Sequence, residues 1–145
     1  MKNILFSLIC LTSISLGQTV NSIADQVLVE LQTLSNSWKS IKDEPSAKAS
    51  VVVSKTQAAK LVSLSKSLQK LRRPDNSIRA ALKIRQAKAT AAVSMEMATT
   101  LAMLKSDLAP MTILTKGLQD IEKDMAGSKK IFDLYFEPDV IVKKP

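Results

Sequence analysis

Histidine is absent from this chain of 145 residues, and cysteine occurs once, as Cys10. Histidine is the commonest general base and the commonest side-chain ligand of transition metals, so its absence removes the usual hydrolase and metal-site chemistries. The three glycines, at positions 17, 117 and 127, form no phosphate-binding or dinucleotide-binding pattern. The sequence therefore predicts a protein that is not an enzyme, with no catalytic, metal-binding or cofactor-binding residues and no cofactor.

A short uncharged run at the start of the chain predicts export. Lys2 precedes thirteen mostly apolar residues, 4–16, and small residues at positions 15 and 17 suit a cleavage site. This is the pattern of a secretory signal peptide over residues 1–17, cleaved after Gly17 so that Gln18 becomes the first residue. The run is too short for a permanent membrane anchor, and no later run is long enough, so we expect a secreted or periplasmic protein without a transmembrane span.

Cys10 lies inside this predicted signal peptide. Lipid attachment to Cys10 is disfavoured because the bulky Ile9 precedes it, where a lipoprotein site has a small residue. The processed chain then has neither a thiol nor a disulfide, and packing alone must hold it together.

Positive charge is concentrated in the middle of the sequence. The formal net charge is +8, and residues 48–88 hold eleven basic residues against one acid, Asp75. The flanking residues, 18–47 and 89–145, carry two bases with four acids and seven bases with eight acids, so they are close to neutral.

The apolar residues recur three and four positions apart, which predicts α-helices rather than strands. We expect an all-α antiparallel helical bundle of three long helices and a shorter fourth over residues 18–127, followed by an aromatic segment and extended tail over 128–145. The predicted helices span residues 20–42, 46–72, 76–108 and 111–126, with sharp turns at 43–46 and 73–76 and an ending at Gly127. Short turns favour antiparallel neighbours.

The first predicted helix has a coiled-coil-like apolar seam. The residues that form it are Val20, Ala24, Val27, Leu31, Leu34, Trp38 and Ile41. Such a seam packs inside the bundle or pairs with a second copy, so homo-oligomerisation stays open. The third helix has a less regular face, formed by Ile78, Leu82, Ala89, Val93, Met97, Thr100 and Leu104, joined by Ala92 and Met103.

The basic residues of the second and third helices form the best candidate binding surface. At 100° per residue the cations of the second helix fall on one side, opposite its leucines. The candidate residues for binding an anionic surface are Lys48, Lys55, Lys66, Lys70, Arg73, Arg79 and Lys83. The ligand would be anionic lipid, an acidic envelope polymer or an acidic protein, and the alternative is a solvated face that keeps the protein soluble. Nucleic acid is disfavoured as a partner because no aromatic residue interrupts the basic stretch.

Two further features have a functional and a plain structural interpretation. Glu96 projects toward the apolar face of the third helix, where a carboxylate marks either a site or an ion pair at the margin. Met95, Met97, Met103 and Met111 form a loose group, and core packing explains such methionines better than Cu(I) binding.

Three of the five aromatic residues lie near the C-terminus, as Phe132, Tyr135 and Phe136. They either fold back onto the open end of the bundle or anchor a docking tail. In the second case residues 140–142 would add a strand to a partner.

The segment Ile41-Lys42-Asp43-Glu44-Pro45-Ser46-Ala47-Lys48-Ala49, followed by a leucine ladder and a break at Pro74, resembles a helix–turn–helix segment of small uncharacterised exported bacterial proteins. The likeness covers about residues 35–110. It implies an α-helical exported module and carries over no catalytic residue.

Together these features predict an exported, non-enzymatic helical protein that acts as an interaction or scaffold module in the cell envelope or outside the cell. The alternative is a binder of anionic envelope lipid or polymer through the basic face of the second and third helices.

Overall fold

The computed structural model describes residues 19–139, and they form four helices. These are α1 (Val20–Lys39), α2 (Glu44–Leu68), α3 (Asn76–Met103) and α4 (Leu108–Phe136). No strand occurs between residues 19 and 139, which confirms the all-α helical bundle. The predicted signal peptide, its cleavage junction at Gly17 and Gln18, and the predicted extended residues 140–142 lie outside the described residues.

The first two helices begin with reciprocal side-chain caps. Thr19 accepts a hydrogen bond from the backbone N–H of Ser22, and the Ser22 hydroxyl accepts one from the N–H of Thr19. Asp43 and Ser46 repeat this arrangement at the start of α2, where Pro45 occupies the first turn. The hydrogen bonds from Ser46 lower the pKa of Asp43 because they stabilise the charged carboxylate.

The second half of the chain differs from the prediction. α3 ends at Met103, and Pro110 lies in the first turn of α4, where a missing N–H costs little. α4 continues through Gly127 to Phe136 and is the longest helix at 29 residues, so the shorter fourth helix and the separate segment from residue 128 were wrong. Gly127 has no positive φ, and burial of the aromatic residues beyond it outweighs the helix cost of one glycine, about 1 kcal/mol.

The helices form two hairpins that stack on each other. α1 contacts both α2 and α3, and α2 contacts both α1 and α4. Asp25 pairs with Arg85 and the Trp38 carbonyl accepts from Thr100, so α1 and α3 run in the same direction. α2 and α4 also run in the same direction.

Contacts between α2 and α4 keep a nearly constant offset along the chain. Lys55 pairs with Asp120 at 2.8 Å, and the Ser65 and Ser128 hydroxyls lie 3.1 Å apart. The offset of about 64 residues shows two parallel helices in fixed register. Sequential helices are antiparallel, as predicted, but α2 and α3 do not touch and occupy diagonally opposite corners.

The core consists of two apolar clusters, one at each end of the bundle. The lower end holds the connection between α2 and α3, and its buried cluster is Ile23, Ala24, Val27, Leu61, Leu64, Leu68, Leu82, Phe132, Tyr135 and Phe136. The upper cluster is Trp38, Ile41, Ala47, Leu104 and Leu114. The predicted α1 seam supplies both clusters, so its side chains pack within the chain. Ile78, Ala92 and Met103, expected on the buried face of α3, are exposed.

Buried polar side chains separate the two clusters on α2. Ser50, Ser54 and Gln57 are buried, and Ser50 hydrogen bonds with Ser37 at 2.8 Å. The Ser54 hydroxyl and the Gln57 side-chain oxygen have no hydrogen-bond partner among residues 19–139. The apolar pattern of the sequence did not indicate this polar middle layer.

Gly117→Ala should destabilise the protein, whereas Gly127→Ala should stabilise it. A methyl group at position 117 would lie 2.7 Å from a Val51 methyl carbon, while nothing lies within 4 Å of one at position 127. We expect a loss of about 1–3 kcal/mol for the first change and a gain of about 0.5–1 kcal/mol for the second, measured by urea unfolding. Val51→Ala combined with Gly117→Ala should recover part of the loss. Equal effects of the two single changes would contradict the close packing of α2 and α4.

Candidate binding site between α3 and α4

A window into the core opens between α3 and α4. The α3–α4 interface is the least packed of the four helix–helix interfaces in the bundle. The opening there encloses about 520 Å³. Its floor consists of Val27 and Leu31 from α1, Leu61 from α2 and Phe132 from α4. The window therefore gives solvent a route to apolar side chains of the lower cluster.

The sequence of α3 explains why the window stays open. On the side toward α4 its lower half offers only small or polar residues, namely Lys83, Gln86, Ala87 and Thr90. Farther up α3, Met97 and Leu101 pack with the upper cluster and fill the interface between α3 and α4. The predicted apolar face of α3 has no residue between Leu82 and Ala89. This missing turn of apolar residues is the feature of the sequence that could have located the window.

The residues after α4 close the lower end of the window. The Lys83 ammonium lies 3.2 Å from the Glu137 carboxylate, and Arg73 lies 2.8 Å from Asp139. Asn76 accepts a hydrogen bond from the backbone N–H of Asp139 at 2.7 Å. These contacts tie the end of α4 to the start of α3.

Arg79 is central to this closure and is 3% exposed. Its guanidinium donates to the Glu137 carbonyl at 2.9 Å and to the Asp139 carboxylate at 2.5 Å, and also contacts the side chain of Asn76. The prediction that Arg79 belongs to an exposed basic face was wrong. The carboxylate and carbonyl groups after α4 hold the guanidinium inside, which a one-dimensional charge pattern does not reveal.

Most of the other predicted basic residues are neutralised by acids. Lys48 pairs with Glu44 at 2.6 Å and Lys55 with Asp120 at 2.8 Å, both at the surface. The hydrogen bond and positive charge of Lys55 lower the pKa of Asp120. By contrast, Lys66 and Lys70 are exposed and have no ion pair within residues 19–139.

The structure also separates the basic residues of α2 from those of α3. Because the two helices occupy diagonal corners of the bundle, the basic residues of α3 do not lie next to those of α2. Lys83 instead stands at the rim of the window, paired with Glu137. The two sets do not form one continuous basic face.

The C-terminal aromatic residues are part of the core. Phe132, Tyr135 and Phe136 are buried, and the two phenylalanine rings stack with their centroids 5.7 Å apart. The Tyr135 hydroxyl donates to the Leu71 carbonyl at 2.7 Å. They fold back onto the bundle, so the docking role considered for these residues was wrong.

Glu96 and the methionines show no arrangement suited to chemistry. Glu96 is half-buried, and Met95 and Met103 are exposed. Met97 and Met111 pack against the upper cluster as core residues. Over residues 19–139 no group of three or more carboxylate, histidine or cysteine side chains is placed to hold a metal ion.

The fold and the window define an all-α bundle of stacked hairpins with an opening onto its apolar core. None of its four helices has both the length and the apolar character needed to cross a bilayer. No protein-family model, curated protein or solved structure matches this chain significantly. The resemblance to small exported bacterial proteins therefore stays a prediction.

Asp139→Ala should cost more stability than Asp25→Ala, although both changes remove an arginine's ion pair. Asp139 neutralises a buried guanidinium, and its loss should lower the free energy of unfolding by about 1–3 kcal/mol. Asp25 pairs with the exposed Arg85, so that change should cost less than about 1 kcal/mol. Urea unfolding of the two variants makes the comparison, and an equal or reversed order would contradict the closure described above.

Proposed function

We propose that this protein is an exported, non-enzymatic interaction module that binds an apolar guest in the window between α3 and α4. The observation that carries the proposal is the window itself, because Val27, Leu31 and Leu61 belong to the core and yet face an opening. Its volume of about 520 Å³ falls within the range typical of small-molecule sites, about 300–1,000 Å³.

The arrangement favours binding over catalysis. Apolar side chains form the floor, and the rim carries Lys83, Gln86, Thr90, Lys129, Asp133 and Glu137. An apolar floor with a few polar groups at the mouth is the usual build of a ligand site. Residues 19–139 contain no histidine or cysteine that could act there as base or nucleophile. Export rests on the pattern of residues 1–17 alone.

The alternative function, binding of anionic lipid or polymer through a basic face, has less support. Its candidate residues on α2 are partly paired with acids, and those on α3 lie at a different corner of the bundle. Lys66 and Lys70 are the exposed cations on which that function would depend.

Ala87→Trp should abolish binding of an apolar probe. Ala87 is an exposed residue that lines the window, so an indole there fills the opening without displacing a core side chain. We expect the fluorescence rise of Nile red, an uncharged apolar dye, to fall at least tenfold in this variant. Ala92→Trp is the matched control, because Ala92 is exposed on the same helix and does not line the window.

Equal dye binding by both tryptophan variants would refute the window as the site. A parallel measurement tests the alternative, with sedimentation of vesicles containing anionic lipid at low and high salt. Vesicle binding that survives Ala87→Trp and disappears when Lys66 and Lys70 are changed to glutamate would favour the basic face instead.

A further inference from the structure

We propose that the guest of the window is a free single-chain amphiphile with an anionic head group, bound by Lys129. This inference rests on the proposed function and names its ligand class. The hydrocarbon chain would lie along the apolar floor, and the head group would stay at the mouth, within reach of the Lys129 ammonium.

The shape of the window suits one extended chain. One wall follows α4 from Met125 and ends at Glu137, just past the helix, which is a span of about 18 Å. The floor residues Val27, Leu31, Leu61 and Phe132 are all apolar, so the elongated part of the guest must be apolar as well. The opening is thus long, with an apolar floor and with its polar groups at the rim.

The charge around the window favours an anion. The stretches that line it, residues 27–31, 83–90 and 125–137 together with Leu61, hold five basic and three acidic side chains. Such an excess of one sign raises the local concentration of ligands of the opposite sign. The surroundings are therefore complementary to a negative head group.

Four charged side chains face the window directly, and their pairing identifies the anchor. Lys83 and Glu137 neutralise each other at the lower end, 3.2 Å apart. Lys129 is exposed and has no carboxylate within ion-pair distance among residues 19–139. Asp133 is half-buried one turn further along α4, and it opposes an anion. Lys129 is thus the cation available to attract an anionic head group. The carboxylate of Asp133 repels that head group and weakens the attraction.

Three dodecyl compounds with different head groups test the head-group charge. Dodecanoate, dodecanol and dodecyltrimethylammonium are added below their micelle concentrations, and displacement of Nile red from the purified protein is measured. We expect dodecanoate to displace the dye at a concentration about five to ten times lower than dodecanol, and dodecyltrimethylammonium to be the weakest.

Substitutions that change charge at one position test the anchor. Lys129→Gln should weaken dodecanoate binding about five- to tenfold and leave dodecanol binding unchanged. Lys66→Gln is the matched control, since it removes one exposed positive charge from outside the window. Asp133→Asn should act in the opposite direction and tighten dodecanoate binding, because it removes a repelling carboxylate. All three positions lie outside the buried core, so circular dichroism should report an unchanged helical fold.

The results separate this inference from the proposed function. Equal binding of the three dodecyl compounds, blocked by Ala87→Trp, would keep the window as the site and overturn the anionic head group. Failure of every compound to bind, or binding that Ala87→Trp leaves intact, would overturn both. Binding of anionic vesicles that is lost in Lys129→Gln would overturn the choice of a free amphiphile in favour of a membrane lipid.

Discussion

Close packing of α2 against α4 determines where the other helices lie. Gly117 leaves room for Val51 at the upper end, and the hydroxyls of Ser65 and Ser128 meet lower down. Because both contacts keep nearly the same offset along the chain, the two helices stay parallel over most of their length. α1 is joined to α2 by a tight turn and α3 to α4 by another, so the second hairpin must stack on the first.

This stacking explains both the window and its location. With α3 packed on α1 and α4 packed on α2, the contact between α3 and α4 depends only on the side chains they direct at each other. Met97 and Leu101 are large enough to bridge that gap, whereas Ala87 and Thr90 are not. The lower cluster therefore stays accessible, at a cost in buried apolar area that a closed bundle would not have.

The basic middle of the sequence serves several structural purposes instead of one. Arg79 is buried and holds the end of α4, Lys55 pairs with Asp120, and Lys83 closes the lower end of the window. Lys129, from a different part of the chain, is the lysine at the rim of the window that has no ion pair within residues 19–139. The basic residues that are clustered in the sequence are thus distributed over different faces of the bundle.

The sequence was enough to predict the helical class, the apolar seam of α1 and the turn at Asp43 and Pro45, because helix periodicity and capping are local properties. It did not determine the length of α4, since the burial of Phe132 and Phe136 that sustains the helix beyond Gly127 depends on contacts with distant residues.

Which helices are neighbours depends on contacts between residues that are far apart in the sequence. The seven residues between α2 and α3 allow the second hairpin to cross the lower end, so α2 and α3 are diagonal rather than adjacent. The burial of Arg79 and the opening beside Ala87 both follow from that arrangement. They depend on which side chains meet across the bundle, and a pattern along one helix carries no information about its partner.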